Sequence, residues 1–212
     1  MPWPMVHFAI ATEIYLKVPA SSFLIGSIAP DAIHVRDGIT RKDKGFTHLV
    51  QDDQLPSAEH IFHTCLEYWK LPGGTEWKEF VLGYFSHIYA DLRWTQTLYN
   101  DFECHVQAEK HHIREIYNKE VSQIEFILLR EIGCSQEVIS QLKQAKAFTI
   151  NPFLIQDEIH QYRDEKISWL EDRRNEPNIK PVYFTEEKVR YFITMVADEL
   201  KDLFNEERWL LI

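Results

Sequence analysis

One segment, TEWKEFVLGYFSHIYADLRWTQTLY, sets a pair of chemically capable residues, His87 and Asp91, in an otherwise apolar helix-like run. Residues four apart lie on one face of a helix, separated by about 6 Å of rise, so imidazole and carboxylate can converge on one point. Phe80, Val81, Tyr84, Phe85, Ile88 and Leu92 cover most of the remaining circumference, as in a helix enclosed at the centre of a bundle. A polar pair in such surroundings is unfavourable unless something satisfies it. A shared metal ion is one solution and a plain His–Asp hydrogen bond is the other.

Three more residues extend the metal reading. His7 lies on the first helix-like segment, Asp31 follows the proline of Ile28-Ala29-Pro30-Asp31, and His48 follows a polar stretch in Thr47-His48-Leu49. Each has an ordinary explanation: a half-buried core histidine, a cap or turn residue, a surface histidine. Together they form an imidazole and carboxylate set spread over several helices, the donor chemistry of a zinc hydrolytic site, in which a carboxylate such as Asp91 can bridge two ions. His34 is placed to support a ligand carboxylate from behind. His60 and His63 read as solvated residues near a helix start. Arg36, Arg41, Lys42 and Lys44 read as a solvated loop, or as phosphate-recognition groups if the substrate is a phosphoester. Tyr84 reads as core or pocket lining, and Trp69, Trp77, Trp94 and Trp169 as packing residues.

The elements that must position these residues are helical. Val6, Ile10, Ile14 and Val18 recur at steps of four, which predicts a helix over 5–18. Ser21 or Ser22 caps the short run FLIGSIA, which the proline at 30 ends. Residues 34–47, with Gly38 and Gly45, predict a loop. Helices are expected over 57–69, over 75–99, in one or two pieces over 102–132 up to Gly133, over 136–146 behind Ser135, from Asn151-Pro152 to about 172, and from Thr185 to about 204. RRNEPNIKP at 173–181 predicts a loop. With no repeat and no long linker, residues 1–212 read as one all-α, single-domain multi-helix bundle.

Composition narrows the function classes. Seven glycines are few for a turn-rich sheet protein, and 45% hydrophobic with 26% charged residues is a globular profile. A net charge of −10, with no basic stripe, opposes gripping a nucleic-acid duplex or an anionic membrane surface. Cys65, Cys104 and Cys134 form no Cys-x-x-Cys pair, which removes a thiolate zinc ribbon and a dithiol redox site. The sparse, odd count and the lack of a basic-then-apolar leader predict a cytoplasmic protein, and no apolar run is long enough for a transmembrane segment.

The segments MPWPMVHFAIA, FLIGSIAPDAIHVR, THL at 47–49 and FVLGYFSHIYADLRW, with a weaker YFTEEKVRYFI, resemble the zinc-dependent phospholipase C family, in particular its short bacterial members. That family shares its helical fold with the fungal single-strand nucleases. The resemblance implies the phospholipase C/nuclease type of bundle and metal ligation by His7, Asp31, His48, His87 and Asp91. Departures are also visible. The secreted enzymes chelate one ion through a mature N-terminal tryptophan, whereas this chain begins Met1-Pro2-Trp3. The family has a histidine six residues beyond the helix Asp, where Thr97 stands here. His111 and Glu115 have the spacing of the remaining His-x-x-x-Glu pair, but a third ion would lack the intervening histidine. The expected complement is one or two zinc ions.

The implied activity is hydrolysis of a small phosphodiester or a phospholipid head group by metal-activated water, with Asp31 or Asp91 orienting or deprotonating that water. The alternative is a non-catalytic metal-binding or regulatory protein that retains a degenerate site. The HD phosphohydrolases, another helical class with His and Asp ligands, use an adjacent His-Asp dipeptide, which is absent here.

Overall fold

The helix carrying His87 and Asp91 is the axis of the molecule. In the computed structural model, which describes residues 3–106, 109–131 and 135–206, it spans Thr75–Trp94 and is buried at every position from Phe80 to Leu92. It is the fifth of ten α-helices among the described residues: α1 (Pro4–Tyr15), α2 (Ser21–Gly26), α3 (Arg41–Thr47), α4 (Ala58–Trp69), α5 (Thr75–Trp94), α6 (Asn100–His105), α7 (Lys110–Glu131), α8 (Ser135–Gln144), α9 (Gln156–Glu171) and α10 (Glu186–Glu206). No strand occurs among those residues, only two isolated bridge pairs, Gln51 with Gln54 and Ile150 with Leu154. The all-α multi-helix bundle expected from the sequence is therefore present, around one continuous apolar core.

Helix α5 is enclosed mainly by α2 and α4, with α1, α10 and the 3₁₀ turn Ala29–Val35 closing the remaining sides. The α2–α5 crossing is a backbone contact. A Cβ on Gly26 would stand 2.2 Å from the Phe80 carbonyl oxygen, and one on Gly83 would stand 2.2 Å from that of Phe23. Glycine inside a helix costs about 1 kcal/mol relative to alanine. Here it allows an approach no other residue permits, and so brings the end of α2 against the His87 face.

Several local expectations need correction. The helix break expected at Ala29-Pro30-Asp31 is present, with α2 stopping slightly earlier, at Gly26, but Pro30 is not in a loop. It occupies the start of the 3₁₀ turn Ala29–Val35, where a missing N–H is no handicap and the fixed φ suits the turn. The polar stretch 34–47 is not all loop: Thr40 and Asp43 form a capping box, with Thr40 N donating to the Asp43 carboxylate at 2.8 Å, and α3 follows. Asn151-Pro152 does not start a helix, because α9 begins only at Gln156. The helix expected to run on to residue 99 changes at Thr95–Tyr99 into a π-helical turn before α6. Ser135 is the first residue of α8 rather than its cap, and Gly133 lies outside the described residues.

Candidate metal centre

His87 and Asp91 project from the buried face of α5, and both are almost fully enclosed, at 1% and 4% exposure. The α2–α5 contact sets the Ser27 carbonyl against the His87 ring, whose Nδ1–H donates to it at 2.8 Å. This bond holds the ring with Nε2 facing inward.

His48 is delivered by the end of α3. Leu49 N–H bonds to the Phe46 carbonyl at 3.3 Å and Val50 N–H to the Gly45 carbonyl at 2.8 Å, the paired bonds of a Schellman ending. Leu49 takes the left-handed position usually given to glycine, at φ 59°. The His48 ring, at the cap itself, donates Nδ1–H to the Lys44 carbonyl at 2.9 Å, and Nε2 again faces inward. Tyr84 is fully buried, and its hydroxyl donates to the Thr47 carbonyl at 2.8 Å, so it ties this turn to α5 rather than lining a pocket.

The two inward nitrogens, His48 Nε2 and His87 Nε2, stand 3.2 Å apart. With both Nδ1 atoms protonated, neutral rings present two lone pairs to each other, so a positive charge is required between them. Asp91 Oδ2 lies 3.4 Å from His48 Nε2 and 3.6 Å from His87 Nε2. Four donors held tetrahedrally at zinc distances of about 2.0–2.2 Å are about 3.3–3.6 Å from one another. These three atoms therefore match one face of a zinc tetrahedron, and Asp31 Oδ1 adds another donor 3.6 Å from His48 Nε2. The other Asp91 oxygen, Oδ1, faces His7 Nε2 at 3.8 Å, and the His7 ring stacks on His87 with centroids 4.0 Å apart. Asp91 thus presents one oxygen to each side, as a bridging carboxylate would. Two ligand sets result, His7–His87–Asp91 and Asp31–His48–His87.

The charge states suit a cation. Burial, then the neighbouring His87, lowers the His7 pKa to about 3, and burial lowers that of His48 to about 4, so both rings are neutral ligands near pH 7. Burial tends to raise Asp91, but His87, His48 and His7 outweigh it and bring it to about 2. Burial also opposes ionisation of Asp31, and Lys44, His87, His48 and His34 together hold it well below the usual carboxylate range. Burial pulls His87 down, but Asp91, Asp31 and the Ser27 carbonyl raise it above its ordinary value. A proton on His87 is thus the one cation the chain itself supplies between the two rings. His7 Nε2, Asp31 Oδ1 and both Asp91 oxygens are buried with no hydrogen-bond partner.

All five sequence-predicted residues are brought together, from α1, the 3₁₀ turn, the end of α3 and α5. His34 lies beside Asp31, Nε2 to Oδ1 at 3.7 Å, as a supporting residue would. His111 does not join them: its side chain is 67% exposed, Glu115 is exposed too, and the nearby exposed ligand-capable group is Glu109, His111 and His112. Thr97 lies in the π-helical turn and donates to the Arg93 carbonyl at 2.7 Å. His63 is exposed, and His60 is half-buried at the capped start of α4. Pro2, the residue that cleavage after Met1 would make N-terminal, lies outside the described residues.

Two neighbours contact Asp31 in ways the sequence did not indicate, although Lys44 was one of the candidate phosphate-recognition groups. Lys44 Nζ stands 3.2 Å from Asp31 Oδ1, and the Tyr162 hydroxyl of α9 approaches Asp31 Oδ2 at 3.5 Å. Nothing in the sequence around Tyr162 points to this. Lys44 could have been found by its place one turn before His48 on a capped helix. A cavity of about 670 Å³ opens beside α3, lined by Arg41, Lys42, Lys44, His48 and Thr95 among others. It reaches one of the five residues, His48, whereas a larger cleft of about 990 Å³ beside α1 and α10 touches none of them.

Comparison of the chain with protein-family models, curated proteins and solved structures finds no match.

Proposed function

We propose that the chain is a zinc-dependent phosphodiester hydrolase of the phospholipase C kind, acting on a small phosphodiester or a phospholipid head group. The observation that carries this reading is the triangle of His48 Nε2, His87 Nε2 and Asp91 Oδ2, with edges of 3.2, 3.4 and 3.6 Å, into which the chain itself can supply only a proton on His87. His48, His87, Asp91 and Asp31 would hold one ion, and His7 with the other Asp91 oxygen a second. The segments that resemble the phospholipase C family carry all five residues, which favours its bundle type as well.

Zinc at such a centre supplies Lewis acidity and brings the pKa of a coordinated water towards neutrality. The chain supplies the rest. Asp31 and Asp91 are ionised and can orient a water or accept its proton, while Ser27 and Lys44 carbonyls keep the two imidazoles in their lone-pair-inward tautomers. Arg41, Lys42 and Lys44 place cations along the approach, where a phosphate would enter.

A second reading, a metal-binding protein without turnover, is favoured by one fact: of the five residues, only His48 lines the cavity. Zinc content per chain, followed by hydrolysis of bis(p-nitrophenyl) phosphate, separates the two. At least one retained zinc with metal-dependent hydrolysis is expected. Well below one zinc per chain after reconstitution and dialysis would sink both readings, and bound zinc without hydrolysis would leave only the second.

A further inference from the structure

Lys44 occupies an unusual position twice over. Its backbone carbonyl accepts from His48 Nδ1, while its ammonium stands 3.2 Å from Asp31 Oδ1 and 3.2 Å from His34 Nε2. Yet Asp31 Oδ1 has no hydrogen bond: the ammonium neutralises its charge without being aligned on its lone pairs. The same oxygen lies 3.6 Å from His48 Nε2, on the donor set described above. Two cations placed against one carboxylate oxygen repel each other strongly at such distances in a buried setting. The lysine has somewhere to go. Its side chain is 29% exposed, and it lines the cavity together with Arg41, Lys42, His48, Asp52 and Asp53.

Resting on the metal reading of the site, we propose that Lys44 is an exchangeable countercharge: its ammonium holds Asp31 in the metal-free protein, and cation binding releases it into the cavity, where it becomes the group that binds the substrate's phosphate. Metal and oxyanion binding are then coupled through one side chain. Before metal enters, Lys44 is engaged by Asp31, and the remaining cavity cations, Arg41 and Lys42, are matched in number by Asp52 and Asp53. Afterwards the freed ammonium tips the cavity towards anions, beside the cation that Asp31 helps to hold. A flexible four-carbon stem with a compact charge suits such a move.

The test compares wild type, Lys44→Met and Lys44→Arg, since neither substitution alters the carbonyl that holds His48. Zinc affinity is read by competition with a chromophoric chelator, and binding of inorganic phosphate to apo and zinc-loaded protein by calorimetry. Lys44→Met should bind zinc about tenfold more tightly, a difference of about 1.4 kcal/mol. It should also lose most of the gain in phosphate affinity that zinc confers on wild type, whereas Lys44→Arg should keep both wild-type properties. Zinc bound equally by wild type and Lys44→Met would overturn the exchange while leaving the metal centre standing. Phosphate affinity that rises equally with zinc in both proteins would overturn the release into the cavity. Zinc bound by neither would overturn the metal reading and this inference together.

Discussion

Helix α7 and helix α5 both bury carboxylates, and they treat them in opposite ways. On α7, Glu120 accepts from Val182, Tyr183 and Phe184 N–H at 3.0, 2.8 and 2.9 Å, and so holds the chain ahead of α10. Five residues on, fully buried Glu125 takes the Met5 N–H on both oxygens, at 3.1 and 3.0 Å, and satisfies a free donor at the start of α1. On α5, Asp91 is equally enclosed, but neither oxygen is hydrogen-bonded, and three imidazole nitrogens face it at 3.8, 3.4 and 3.6 Å. A buried acid is therefore no sign of a site by itself. The sign is a set of acceptors that converge with far fewer protons of the protein's own than they could accept.

The contrast can be broken by experiment. The largest effect is expected at Glu120→Ala, which strands three backbone donors and should lose about 3 kcal/mol or more in urea unfolding. A loss under about 1 kcal/mol would show that α7 is not the fastened framework described here. Zinc removal comes next. Protein saturated to about 100 times its Kd should lose about 2.7 kcal/mol on chelation, seen as a lower but still sharp melt by circular dichroism. Complete loss of helix would make the metal a condition of folding instead of an addition to a finished bundle.

Asp91→Asn should reduce zinc retention well below that of wild type, since it removes the carboxylate that faces both ligand sets. Unchanged zinc content would remove Asp91 from the centre. The last effect is a pH slope, small over any one pH unit. Burial, against the pull of the Met5 N–H and Lys166, raises Glu125 from 4.5 to about 8, so the folded state binds the extra proton between these values. Its contribution must then fall as pH rises from about 4.5 to about 8. His7 and His48 work the other way: with lowered values of about 3 and about 4 they give stability that is lost as pH falls from 6.5 towards those values. The difference between wild type and Glu125→Gln isolates the first slope, and parallel curves would refute it.

The sequence showed the centre more clearly than its supports. His87 and Asp91 were visible because two polar residues at helical spacing interrupt a run of apolar ones, and such a run fixes both the helix and its burial. His7, Asp31 and His48 stood out only as a set, since each alone has an ordinary local explanation. Helix α3 was missed because RKDKGFT has no apolar stripe: its start depends on the Thr40–Asp43 box and its end on a leucine where glycine is expected. Lys44 read as a solvated or phosphate-recognising charge, and its contact with Asp31 was hidden because that carboxylate sits on another element. The carboxylates of α7 were invisible for the same reason, as their partners are backbone donors more than 50 residues away in the chain.

The glycine at the α2–α5 crossing turns this into a reading rule. Gly83, His87 and Asp91 succeed one another at intervals of four, so a single helical face carries a gap, a ring and a carboxylate in register. The gap admits a neighbouring backbone, that backbone offers the carbonyl that orients the ring, and the ring then faces the acid one turn on. For this chain the rule has one consequence: a side chain at position 83 would push the Phe23–Ser27 backbone away, and with it the carbonyl that orients His87.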